Sequence, residues 1–322
     1  MIKKILFINN LASISHILGE EFKKRKIDYD IIDLYKKEVF WSESKKDLNK
    51  NIKEIELKEY DVVYYNIPYS FASVFLNFKC KLNKVNFVVH FHGYDARARD
   101  PKLIFYRTLS CLGVKLAFYS TPDLRNRLWW FLGKKVFLPS PISIKIKNKK
   151  NKVYSKRILV FQRIEKEKGL VEILKIVKQL PQFQFDFIKL GKEKDIALFN
   201  KLKGKNCNLI NPIKHENVGN LLSKYKVILG QYSPYGVIGV SEFEAMSLEK
   251  PTLFYFDKKY DAFYKEPVPR IDYNAKNILD LMNNNKKRKE LGKKQKEWVL
   301  KYLNPKNIVD TMLTNLKLLN PN

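Results

Sequence analysis

The stretch ILVFQRIEKEKGLVEILKIVKQL (158–180) decides the fold. Its first four residues, Ile158–Phe161, form a short apolar run of the kind that becomes a strand buried on both faces. The polar RIEKEK follows as a turn. Gly169–Leu180 then carries apolar residues at helical spacing. Strand, polar turn and amphipathic helix in this order make half of a βαβ unit.

The same unit recurs in both directions along the chain. Upstream, Ile5–Ile8 reads as a strand, with a helix bearing Ile14, Ile17, Leu18 and Phe22 after a turn at Asn9 and Asn10. Further strands are expected at Asp30–Leu34, Val62–Tyr65, Phe87–His90 and Leu116–Tyr119, most of them separated by helical patterns. Downstream, strands are expected at Phe185–Leu190, Val227–Gly230 and Thr252–Phe256, with helices at Val218–Tyr225 and Val240–Leu248. The chain from Asn274 onward reads as basic helix. Near-continuous apolar strands alternating with helices predict parallel sheets covered on both faces. PSPISIKIKNKKNK (139–152) interrupts the rhythm and reads as a linker. The expected organisation is an N-terminal domain over 1–145, a second over 152–302, and a final helix over about 303–322 crossing back to the first. The predicted class is α/β, with two Rossmann-like, doubly wound parallel-sheet domains facing a cleft. In such sheets ligands sit beyond the carboxyl ends of the strands.

Composition fits this picture. At 322 residues, 45% of them apolar, the chain is long enough for two cores. Three scattered cysteines, Cys80, Cys111 and Cys207, give neither a disulfide framework nor a zinc spacing, so a reducing, cytoplasmic setting is expected. The opening MIKKILFINN is too short in apolar residues for a signal sequence, and no stretch is long enough to span a bilayer. The net charge of +29 favours anionic partners, although a composition rich in Lys, Ile and Asn accounts for part of it.

Three segments carry candidate chemistry. Before the helix at Val240, Gly236 and Gly239 allow close approach of a ligand, and helix-start amides suit a diphosphate. Glu244, one turn into that helix, lies on a mostly apolar face, where a carboxylate needs a partner. A ribose diol would serve, and so would a nearby Lys or Arg. In RIEKEKG (163–169), Arg163 and Lys168 flank a strand-to-helix turn, where cations can neutralise a diphosphate leaving group or simply face solvent. In VVHFHGYDARARDP (88–101), His92, Asp95 and Arg97 crowd a strand's carboxyl end. Strand alternation is expected to point His90 and His92 apart, which disfavours a shared metal. Asp28-Tyr29-Asp30 is set aside as a metal pattern because it enters an apolar strand. No phosphate-loop, nucleophile-elbow, zinc-finger or RNA-recognition pattern occurs, so nucleic acid is not expected as a partner.

HFHGYDAR (90–97), STPDLRNRL (120–128) with VFLPSPIS (136–143), RIEKEKG (163–169), NPIKHENVGNLLSKYKVIL (211–229) and IGVSEFEAMSLEKPTL (238–253) together, in this order, resemble the retaining nucleotide-sugar glycosyltransferases of GT-B fold, the family 4 or group 1 type. The resemblance implies an acceptor domain first and a donor domain second. It implies that Arg163 and Lys168 bind the donor diphosphate and stabilise its departure. Ile238, Gly239 and Val240 would offer backbone amides, and Glu244 would hold the ribose. His92 would act at the reaction centre, and Asn9, Asn10 and Ser13 would border the cleft with Asp95 and Arg97. It implies a nucleoside-diphosphate sugar as donor, a glycan or lipid-linked acceptor, and no cofactor or metal. The sequence departs from that family at Gly236, where a second Glu is common. A catalytically silent, nucleotide-sugar-binding or partner subunit is therefore the alternative reading. RNRLWWFLG (125–133) could dock on an anionic membrane at its inner face; the same letters also describe a core segment with two tryptophans.

Overall fold

The structure is a computed structural model and describes residues 2–34, 55–143 and 153–319. The chain divides into two compact units, Met1–Pro141 with Leu303–Asn322, and Ile142–Tyr302. Residues 144–152 of the linker region lie outside the described residues.

The first unit holds six strands: β1 (Lys4–Ile8), β2 (Asp28–Ile32), β3 (Val62–Asn66), β4 (Asn86–Phe91), β5 (Leu116–Tyr119) and β6 (Lys134–Phe137). They pair in parallel in the order β2-β1-β3-β4-β5-β6. Between them run α1 (Ile14–Lys23), α2 (Phe71–Leu82), α3 (Tyr94–Arg97), α4 (Pro101–Ser110) and α5 (Leu124–Arg127). One sheet face presents Ile5, Phe7, Val62, Tyr64, Val88 and Phe118 to a core shared with Ile14, Leu18 and Phe22 of α1. Period-two alternation turns the intervening residues to the opposite face.

The second unit holds β7 (Arg157–Val160), β8 (Gln184–Ile188), β9 (Cys207–Ile210), β10 (Ile228–Leu229) and β11 (Thr252–Leu253), parallel in the order β11-β10-β7-β8-β9. Its helices are α6 (Leu170–Lys178), α7 (Glu193–Leu202), α8 (Val218–Ser223), α9 (Val240–Ser247), α10 (Ala275–Asn283) and α11 (Asn285–Tyr302). Ile158, Val160, Phe185 and Phe187 pack against Leu170, Ile173 and Leu174 of α6. At the edge strand β11, Gln295 of α11 both accepts from Thr252 N at 2.9 Å and donates to Thr252 O at 2.8 Å. A side-chain amide thus mimics a further strand and closes the edge. The last helix, α12 (Pro305–Lys317), belongs to the first unit. There Ile308, Val309 and Met312 enter the core beside α1, and Arg25 pairs with Asp310 at 2.8 Å.

Several boundaries differ from the sequence reading. The second strand is Asp28–Ile32 rather than Asp30–Leu34, because its register is set by pairing to Lys4–Ile8. Asp30 of the D-x-D is held there by Tyr60 Oη at 2.7 Å and Lys4 at 3.1 Å. The last strand stops at Leu253, because Phe254–Asp257 leaves the sheet as loop. Two strands, β6 and β9, escaped the reading. β6 is short and largely open to solvent, and β9 carries Asn208 on a half-exposed edge, so neither gives a strong apolar run.

Candidate functional site

Strand order identifies where each sheet can hold a ligand. In the second unit, the connections leave β7 in opposite directions: β8 lies on one side and β10 on the other. The crevice at such a switch point is bordered by the loops after β7 and β10. Those loops are Phe161–Gly169 and Gly230–Gly239, the two stretches that carry RIEKEKG and the approach to α9.

The two loops are bonded to each other. Lys168 Nζ donates to Gln231 Oε1 at 2.7 Å. Tyr232 N donates to Lys168 O at 2.9 Å, and Ser233 Oγ to Glu167 O at 3.0 Å. Gly169 makes this approach feasible: its φ is +81°, and a Cβ there would lie 2.1 Å from Tyr232 O. Gln231 is fixed in turn, its N donating to Glu242 Oε1 at 2.6 Å and its Nε2 to Val237 O.

Glu242 lies two residues before Glu244 and on a different side of α9. It is fully buried and organises the start of α9. Its second oxygen accepts from Gly239 N at 3.0 Å and Ser241 Oγ at 3.1 Å. At Gly239 the expected open amide is not found, because its N–H is already taken by the helix's own carboxylate. Ile238 is buried beneath the turn and Val240 is half-buried. Glu244 also has a protein partner, neither Lys nor Arg: its Oε1 lies 2.6 Å from His215 Nε2. Arg163 is half-exposed and pairs with Glu165 at 3.0 Å.

Position 236 has no room for the missing Glu side chain. Gly236 has φ +61°, and a Cβ there would lie 2.6 Å from Asp257 Cβ. Asp257 N donates to Gly236 O at 3.1 Å, so the Asp257 carboxylate stands beside the turn that leads into α9. It pairs with Lys259 at 2.6 Å, which holds it below the usual carboxylate range.

In the first unit the corresponding switch lies between β1 and β3. A buried polar network spans the ends of β1, β3 and β4. Asn66 is its hub: Nδ2 donates to Asn9 O at 2.8 Å and Ile8 O at 3.2 Å, while Oδ1 meets His92 Nε2 at 2.7 Å. Asn9, at φ +65°, donates back to Asn66 O at 2.9 Å. Asn10 Oδ1 accepts from Ser15 N at 3.1 Å, and Ser13 takes a left-handed φ of +59° to start α1. His90 Nδ1 meets Tyr64 Oη at 2.6 Å. The two histidine rings do not diverge: their centroids are 4.0 Å apart. β4 ends at Phe91, so His92 lies beyond the pleat and alternation no longer governs it. Among the described residues no group of His, Cys, Asp and Glu is arranged to hold a metal ion. Burial pushes His92 down to about 3 and His90 well below the usual histidine range, so both are neutral at neutral pH.

Asp95 and Arg97 are tied into the architecture of this corner. Asp95 accepts from the amides of His92, Gly93 and Ala96 at 2.7–3.1 Å, and burial raises it to about 6. Arg97 forms a two-pronged pair with Asp123 at 2.7 and 2.8 Å and donates to Thr121 at 2.9 Å. Sequence reading missed Asn66, Gln231 and His215. The signal was present for the first two: Asn66 is the last residue of an apolar strand, and Gln231 follows one after a single glycine.

These two switch-point sheets define the GT-B class of fold, the fold of nucleotide-sugar glycosyltransferases. Among solved structures, sucrose-phosphate synthase from Thermosynechococcus elongatus superposes with a TM-score of 0.70 at 14% identity, covering 98% of this chain and 99% of that one. HepE of Anabaena in complex with UDP-glucose gives 0.69 at 12% identity, covering 98% and 99%. An alpha-glucosyltransferase in complex with UDP and a 13-mer DNA gives 0.74 at 10% identity, covering 98% and 100%. No protein-family model and no curated protein matches the sequence.

Proposed function

We propose that the protein is a glycosyltransferase of hexosyltransferase type, using a nucleoside-diphosphate sugar and a glycan or lipid-linked acceptor. The carrying observation is the Lys168–Gln231 bond, which sets a cation between the two loops of the second unit's switch point. The crystallised complex of HepE with UDP-glucose supports a UDP-sugar as the first donor to test.

In this reading Lys168 and Arg163 neutralise the charge that builds on the leaving diphosphate as the C1–O bond breaks. The acceptor hydroxyl oxygen forms the new bond to C1 and its proton passes to the departing diphosphate oxygen. Arg163 swings from Glu165 to phosphate on binding, a motion its exposure permits. Glu244, oriented by His215, takes the ribose hydroxyls, and the backbone of Ile238–Val240 lines the phosphate path. Neutral His92, held by Asn66, contacts the sugar as a hydrogen-bonding group. The Asn9–Ser13 turn holds the acceptor side, with Asp95 and Arg97 supporting it. Asp257 supplies at the sugar end the carboxylate that position 236 lacks. Retention of configuration and independence from metal are carried by the family resemblance.

A thermal-shift series with UDP-, GDP-, ADP- and TDP-sugars tests the reading, since a bound donor stabilises in proportion to its concentration over Kd. Stabilisation by one of them is expected, kept at least in part by Lys168→Ala while its transfer rate falls. Absence of any shift, with no transfer to glycan or lipid-linked acceptors, refutes it. Asp257→Asn should weaken discrimination among sugars while sparing affinity for the free nucleotide.

A further inference from the structure

The helix α2 is built inside out. Its inward face carries Ser73, Leu76, Asn77 and Cys80, two of them polar. Its outward face carries Phe71, Phe78 and Leu82, which are 68%, 60% and 68% exposed, with half-buried Phe75 between them. Positions 71, 75, 78 and 82 fall within an arc of roughly 60° at about 100° per residue. A helix at a water-facing surface normally shows the reverse distribution.

The neighbouring helix α4 repeats the inversion. Arg107 and Ser110 turn inward, while Ile104 and Phe105 turn outward, followed by exposed Leu112. The contact between α2 and α4 is accordingly polar. Ser73 Oγ and Ser110 Oγ are 2.6 Å apart, and Asn77 Nδ2 donates to Ser110 O and Leu112 O at 3.0 Å. Arg107 is consumed by the carbonyls of Asp95 and Ala96 at 3.0 and 2.9 Å, and lies over the Trp130 ring. The segment RNRLWWFLG, joined to α4 through that stacking, splits the same way: Trp130 and Phe131 pack inward, and Trp129 and Leu132 project outward.

The charge around this apolar face has one sign. Between residues 71 and 115 there are eight Lys and Arg against two Asp; Arg97, paired with Asp123, and Arg107, bound to carbonyls, are turned inward, which leaves six cations. One Asp is the buried Asp95, and the other, Asp100, caps α4. Aromatic and aliphatic prongs in a basic collar match an anionic bilayer, where rings enter the acyl boundary and cations meet headgroups. A second copy of this chain would bring like charges together, which opposes self-association through this face.

We propose that the outer face of α2 and α4, with Trp129 and Leu132, docks the protein onto an anionic lipid surface. This stands on the surface itself and is independent of the catalytic reading. The test is flotation with vesicles of phosphatidylcholine alone or mixed with phosphatidylglycerol. The full chain should float with the mixed vesicles only, and raised salt should release it. The double variant F71E/F78E should lose binding on the order of tenfold or more while keeping its Tm, because both rings already face solvent. Failure of the full chain to float with anionic vesicles overturns the proposal, as does flotation unaffected by F71E/F78E. A concentration-dependent dimer dissolved by F71E/F78E, without vesicle binding, would instead assign the face to a second copy.

Discussion

Lys168 Nζ and Gln231 Oε1 meet at 2.7 Å, joining the turn after β7 to the turn after β10. The two residues are 63 positions apart. Gln231 is itself clamped by Glu242 and Val237, so the ammonium is aimed by a chain of bonds that ends at the first turn of α9. Preorganised charge of this kind acts without reorganisation when a leaving group departs.

Lys168→Ala should therefore lower kcat by roughly a hundredfold or more, the usual effect of removing one preorganised donor at a developing charge. KM for the donor should change less. Initial rates over a range of donor concentration separate the two, and an unchanged kcat would remove Lys168 from the mechanism.

Glu242→Ala strands the Gln231 N–H in the interior and frees the Gly239 N–H. A buried donor without a partner costs about 1–3 kcal/mol, so a loss of roughly that size is expected. Urea unfolding measures it, with the m value unchanged if only the native state is affected.

Gly169→Ala meets two obstacles at once. The residue sits at φ +81°, and its Cβ would come 2.1 Å from Tyr232 O. The strained conformation alone costs about 1 kcal/mol or more, and relieving the clash must break the Tyr232 N–Lys168 O bond. Tm and activity should fall together. A variant as stable and active as the parent would show that the two loops need not touch.

Acid should destabilise the first unit through its histidines. The folded-state value of His92 lies at about 3, below the unfolded 6.5, and that of His90 is lowered too. The unfolded chain thus binds more protons, and stability that is complete above about pH 6.5 is lost as pH falls from there, toward 3 in the case of His92, by up to about 1.4 kcal/mol per pH unit for each group. Asp95, raised to about 6, acts in the opposite sense, gaining stability as pH falls from 6 toward 4. The difference between the parent and His92→Gln isolates the histidine contribution. Equal slopes of Tm against pH between 4 and 6.5 in the two proteins would contradict the assignment.

Much of the architecture was legible because strand cores and helix faces are written locally. Ile158–Phe161 and Leu116–Tyr119 are apolar on both faces, and α6 repeats its apolar residues at helical spacing. The motif stretches follow strand ends for the same reason. What failed were inferences about single side chains. His90 and His92 were expected to diverge, yet one residue past the end of β4 the pleat no longer applies and the rings lie 4.0 Å apart. Glu242 falls on a different side of α9 from Glu244 by the helical wheel, and no local signal marks it. Its actual role, binding Gln231 N and Gly239 N, depends on a loop that returns to it.

The sequence by itself determined two α/β parallel sheets and the turns that carry polar and charged residues, because periodicity and turn chemistry act over a few residues. Tertiary structure alone decided which of those residues meet. Asn66 joins three strand ends, His215 faces Glu244 from 29 positions away, and Asp257 fills the space beside Gly236. Those relations arise from strand order and close packing, which bring distant turns to one sheet edge and leave room there for some side chains and not others.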